Sequence, residues 1–163
     1  IRDLVRSRGL GDVYKRQSQD GELLAQLVHP ERGLRLHHSW WNPEVRLTQA
    51  NVRNIFASNI QIDWGVQDGS GNPITGTFSQ EILPLLQNDL LKASESACDE
   101  ILHGGTAGLV RLPDGYEPVH YYSLHRPGTE EFAGMNWGTW VVGVEQWQDS
   151  WYVSFLVHFQ WEI

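Results

Sequence analysis

The chain has 163 residues, 40% of them hydrophobic and eight of them Trp, enough for one domain with a core of its own and not the composition of a disordered polymer. A formal net charge of −8 argues against nucleic acid or an anionic membrane surface as partner, because both need a basic footprint. No apolar run approaches the roughly 18 residues of a membrane span, and a single cysteine, Cys98, excludes an intramolecular disulfide framework.

Residues 7–17 read SRGLGDVYKRQ. The string resembles the conceptual translation of a transposon-type DNA-sequencing adapter, and the opening Ile1-Arg2-Asp3 resembles the end of that adapter in another frame. Residues 1–17 are therefore expected to be a non-native, loosely structured or disordered segment, and residues 18–163 a single α+β domain. The competing reading is a natural basic arm. Without this segment the basic count falls from 12 to 7 and the acidic count from 20 to 18, so the formal charge becomes −11.

Residues 23–28 predict a short apolar helix that stops at His29-Pro30, and Gly33 introduces a strand over 34–38. Trp40-Trp41-Asn42-Pro43 reads as a loop. Thr48 reads as an N-cap, with Leu47 and Val52 as a hydrophobic staple, opening a helix of about ten residues. Residues 60–67 and 74–77 flank the turn Asp68-Gly69-Ser70-Gly71-Asn72-Pro73 and predict a hairpin. Ser79 repeats the capping pattern before a helix through Leu91, which Pro84 should kink or restart. Residues 95–113 are Gly-rich and read as a mobile loop, and Cys98 as a small buried or half-buried residue.

The last third predicts strands over 118–124 and 137–147, then a turn at Gln148-Asp149-Ser150. The final thirteen residues alternate without a break. Trp151, Val153, Phe155, Val157, Phe159, Trp161 and Ile163 fall on one face, as expected of a long, half-buried antiparallel strand. At about 3.3 Å per residue it would span roughly 40 Å and should coil strongly.

Early helices followed by a terminal sheet resemble the nuclear-transport-factor-2-like cone. That resemblance implies a strongly bent antiparallel sheet with two or three helices on its concave face. The strings LAQLVHPERGLR, IDWGVQDGSGNPI and GMNWGTWVVGVEQWQDSWYVSFLVHFQWEI also resemble an uncharacterised family of bacterial secreted or lipid-anchored proteins. Asn136 stands where that pattern has Asp, and Gln160 and Glu162 depart from it. The resemblance implies an extracytoplasmic location: periplasmic, cell-surface or secreted.

Seven histidines are present, but none has a short zinc-motif spacing, so no metal and no cofactor is expected. His37 and His38 are adjacent on a strand and should point to opposite faces. His158 and His120, with Asp63, are candidate catalytic residues for acid–base chemistry in a polar pocket; the plainer alternative is a hydrogen-bonded core histidine. Tyr122, Trp40, Trp41 and Trp140 are candidate ligand-binding residues for a small molecule or glycan. No nucleophile elbow or phosphate loop is present. Three functions stay open: a non-catalytic ligand-binding or accessory domain, which is preferred; a small cone-fold enzyme using a pocket His/Asp pair; and a homodimeric interaction module, since an uncovered apolar sheet face must be buried somewhere.

Overall fold

The computed structural model describes residues 20–105, 111–116 and 119–163. The adapter-like segment, with its boundary at residue 17, lies outside the described residues, as do residues 106–110 of the Gly-rich stretch.

Helix α1 (Gly21–Leu27) starts where Asp20 caps it, the carboxylate accepting from the Leu23 N–H at 3.0 Å. Strands β1 (Leu34–His37) and β2 (Val45–Leu47) pair antiparallel. Thr48 caps α2 (Gln49–Arg53) in a capping box with Asn51. The expected ten-residue helix is only five long; the chain leaves it at Asn54, a residue of low helical preference, and Ser58-Asn59 beyond it give little more. The predicted hairpin forms as β3 (Ile62–Val66) and β4 (Pro73–Gly76), a two-stranded sheet of its own.

The next N-cap is Thr77, not Ser79. Thr77 makes a complete capping box with Gln80, while the Ser79 hydroxyl donates to the Phe56 carbonyl. The helix runs in three pieces: α3 (Phe78–Glu81), α4 (Leu83–Leu85) and a π-helical turn over Leu86–Leu90. Pro84 lies at the start of the second piece, where a missing N–H does no harm, so the restart expected there occurs.

Strand β5 (Glu95–Cys98) replaces the start of the expected loop, and Cys98 on it is exposed rather than buried. Then come β6 (His120–Arg126), β7 (Gly138–Trp147) and β8 (Ser150–Gln160). The main sheet has six strands in the order β2-β1-β8-β7-β6-β5. It is mixed rather than antiparallel throughout, because β1 runs parallel to β8.

The unbroken alternation of the last strand is not what folds. Gly143 pairs with Phe155 and Val144 with Val153, which leaves Ser154 unpaired in a β-bulge. The extra residue reverses the facing of everything beyond it. Trp151 and Val153 pack in the same core as Leu156, whereas Phe155, Val157 and Phe159 turn to the other side. Phe155 lies so close over β7 that a Cβ at Gly143 would come within 2.1 Å of its ring. The strand is buried on both faces from Val153 to Phe159, not half-buried.

One face of the sheet is covered by the helices and the hairpin, with Leu24, Val52, Trp64, Ile82 and Leu86 packed on Leu36, Trp140, Val142 and Leu156. The opposite face carries a second core. There Leu112 and Tyr116 cover Val141, Phe155, Val157 and Phe159, helped by Trp40, Ile101 and Trp137.

Candidate functional site

An amphipathic helix that ends in a π-turn brings a carboxylate into the first core. Asp89 follows Leu86 by three residues, on the helix's apolar side, and is only 4% exposed. Its Oδ1 accepts from Arg126 Nε and Nη2, both at 2.7 Å, and its Oδ2 lies 2.8 Å from His158 Nε2. Arg126 Nη2 also donates to the Asn136 carbonyl at 2.5 Å. Position 138 has to be glycine, because a Cβ there would come within 2.2 Å of Asp89 Oδ2.

His158 is 1% exposed. Its ring lies against Trp140, centroids 4.7 Å apart, and its Nδ1 is 3.2 Å from the His38 carbonyl. Both ring nitrogens thus lie within hydrogen-bond distance of an oxygen. Burial pushes the Asp89 carboxyl up, but hydrogen bonds and charge from His158 and Arg126 outweigh it and leave the group below the usual carboxylate range. Arg126, Asp89 and His158 form one hydrogen-bonded network, its Asp89 and His158 members buried and Arg126 half-buried.

The network ends at a pocket. The His38 side chain is one wall of a cavity of about 410 Å³ where the β3–β4 hairpin meets the end of β8. Ser39, Asp68, Glu81, Gln160 and Trp161 supply much of the remaining lining. His38 Nδ1 is buried without a hydrogen-bond partner. Burial first, then the His158 charge, pushes the imidazole down to about 4, so His38 is neutral near pH 7. Asn42 ties the hairpin to the main sheet, its amide bonding both N–H and carbonyl of Val66 at 2.9 and 3.2 Å.

His37 points into the second core, as its neighbour's opposite facing requires. Its Nε2 is 3.0 Å from the Tyr116 hydroxyl, which donates to Glu44 Oε2 at 2.5 Å. The Arg35 guanidinium sits 4.1 Å above the Tyr116 ring. Burial pushes the His37 imidazole down and, with the Glu44 hydrogen bond, the Tyr116 phenol well up.

The three candidate catalytic residues are placed apart. His158 pairs with Asp89 rather than Asp63, whose Oδ1 accepts from the Gly65 N–H on the separate hairpin sheet. His120 is exposed at the other end of β6, its Nδ1 2.9 Å from Asp99. Among the candidate ligand-binding residues, Trp140 is fully buried in the core and Tyr122 packs against the same core. Trp40 and Trp41 both donate their indole N–H to Glu162 Oε1, and Trp40 also stacks on Phe159. Among the described residues no group of three or more His, Cys, Asp or Glu is placed to hold a metal ion, and no helix is long and apolar enough to cross a membrane.

Sequence reasoning missed Asp89, Arg126, Asp68, Glu81 and Trp161. Only Asp89 left a signal, a carboxylate at the apolar spacing of a helix. No family model, curated protein or solved structure matches the chain.

Proposed function

We propose that residues 18–163 form a non-catalytic domain that binds a small ligand outside the cytoplasm. The observation that carries this reading is the 410 Å³ pocket between the hairpin and the end of β8. Its volume falls within the range of about 300–1,000 Å³ common for small-molecule sites. Its wall is braced from behind, because the Asp89–His158 pair is anchored to the His38 carbonyl. A pre-formed wall loses little entropy when a ligand binds.

The sealed state of His158 weighs against the acid–base alternative. A ring 1% exposed, with both nitrogens engaged, supports the pocket wall and does not reach a substrate. A second reading rests on the exposed His120–Asp99 pair, a histidine oriented by a carboxylate at 2.9 Å and open to solvent. Loss of a measured turnover in His120→Ala, with binding at the pocket intact, would favour it.

The extracytoplasmic location rests on the likeness of the VHPERG, DGSG and GMNW strings to secreted and lipid-anchored proteins. A signal peptide or lipid-attachment cysteine encoded upstream in the native gene would support it, and a plain cytosolic start would remove it. Helices on one face of a terminal sheet support the nuclear-transport-factor-2-like cone as the finer description of the fold.

The test of function is a thermal-shift screen of residues 18–163 against small metabolites and glycans. A ligand at a hundred times its dissociation constant adds about 2.7 kcal/mol, several degrees for a domain of this size. A flat result over the panel would remove the pocket reading.

A further inference from the structure

The composition of the pocket bears on the class of ligand. Asp68 and Glu81 line it, and no Lys or Arg does. One of the two carboxylates is held by a hydrogen bond and the other lies close to the backbone. Asp68 Oδ2 accepts from the Ile163 N–H at 2.7 Å, and Glu81 lies against Gly76, where a Cβ would come within 2.6 Å of its Oε1. The basic side chain in the wall, His38, is neutral near pH 7 because burial and the His158 charge disfavour its protonation. A neutral imidazole has one nitrogen lone pair to offer as an acceptor. Trp161 stays 38% exposed beside these groups.

The two carboxylates and the exposed indole suit positive charge. Two carboxylates in a concave site attract a cation and repel an anion. An exposed indole adds cation–π attraction. The donor set does not suit a bare metal ion, since no three ligating groups converge among the described residues. We propose that the pocket binds a small organic cation, an amine or guanidinium compound, between the Asp68 and Glu81 carboxylates and the Trp161 ring. The proposal rests on the pocket being the binding site and adds the chemistry of the ligand.

The experiment is isothermal titration of the full chain with three sets of size-matched probes. Putrescine, choline and arginine amide are the cations, glucose and cellobiose the neutral compounds, and glutamate and citrate the anions. At least one cation should bind, and its affinity should fall with added salt. Glu81→Gln, nearly isosteric, should weaken that binding about tenfold, and Trp161→Ala should weaken it as well. An unchanged thermal midpoint in both variants would show that each is folded. Binding of a sugar that Trp161→Ala abolishes and Glu81→Gln leaves unchanged would overturn the cation assignment while the binding function stood. Binding of an anion would overturn it equally. Silence from all three sets would overturn both the assignment and the pocket reading.

Discussion

Asp89 holds Arg126 and His158 at the edge of an apolar core. Replacing it by Asn keeps the volume and removes the charge, leaving the half-buried Arg126 without its counter-charge and the buried His158 without its carboxylate partner. Breaking one partner of a buried pair costs about 3–5 kcal/mol. Asp89→Asn should therefore lower the thermal midpoint by about 10 °C, read by circular dichroism. His158→Ala should do likewise, an outcome opposite to that of a catalytic histidine, whose loss abolishes turnover and spares stability. The histidines set a pH dependence with a definite sign. His38 is pushed down to about 4 in the folded chain, against about 6.5 when unfolded. Between those values the unfolded state takes up a proton that the folded state refuses, so stability falls as pH drops from 6.5 to 4. The loss is on the order of 3 kcal/mol for this group. His37 and His125, also lowered by burial, act in the same direction. Asp89, lowered too, adds a further loss as pH falls below its unfolded value near 4. Thermal midpoints of the wild type and of His38→Gln from pH 8 to 4 check this. The variant should show a shallower slope, and parallel curves would refute the assignment.

The bulge at Ser154 is the element on which both cores depend. Its hydroxyl is buried without a partner, so Ser154→Ala should leave stability unchanged or raise it by up to about 1 kcal/mol in urea unfolding. Deleting the residue is a different change. It would leave Val153 paired with Val144 and Phe155 with Gly143, so each side chain keeps its face and only the local bend of the bulge is lost. The deletion should therefore keep a cooperative unfolding transition in the same urea titration. Nothing in the sequence marks this bulge: no Gly or Pro interrupts the run, and the defect exists only in the pairing of β8 with β7. Features written in adjacent residues were legible. The Thr48 cap, the Asp68–Pro73 turn and the Pro84 restart are local chemistry, and each occurs where it was expected. Strands β2 and β5 are three and four residues at the sheet edges, too short for a period to show. The parallel pairing of β1 with β8 joins the two ends of the domain, beyond the reach of any local pattern. The site divides in the same way. His158 was visible as a polar residue in an apolar strand, but its partners Asp89 and Arg126 come from two other elements, and Asp63 was the wrong carboxylate.

On the scale of the whole molecule, what matters is that the chain covers both faces of its own sheet. A homodimer through the sheet would need an apolar face with nothing over it. That face is occupied: Leu112 and Tyr116 lie across Phe155 and Val157, and Tyr116 stacks on Phe155 with ring centroids 4.5 Å apart. An edge pairing is also poorly supported. The β5 edge is four residues long, with Glu95 and Cys98 exposed, and the β2 edge is three. Among the exposed large apolar groups, Phe132 and Met135 share one turn, while Ile60 and Ile163 lie on other segments, and these four do not lie along one strand face. The protein should therefore run as a monomer in multi-angle light scattering at micromolar concentration. Tyr116→Ala should change that. It would uncover Phe155, remove the ring beneath the Arg35 guanidinium and take away the hydroxyl between Glu44 and His37. The expected cost is about 3–5 kcal/mol, with a rise in apparent mass as the opened face finds another surface. A wild-type dimer at the same concentration would mean that association uses a surface other than this covered face, and Tyr116→Ala would then leave the dimer's mass unchanged.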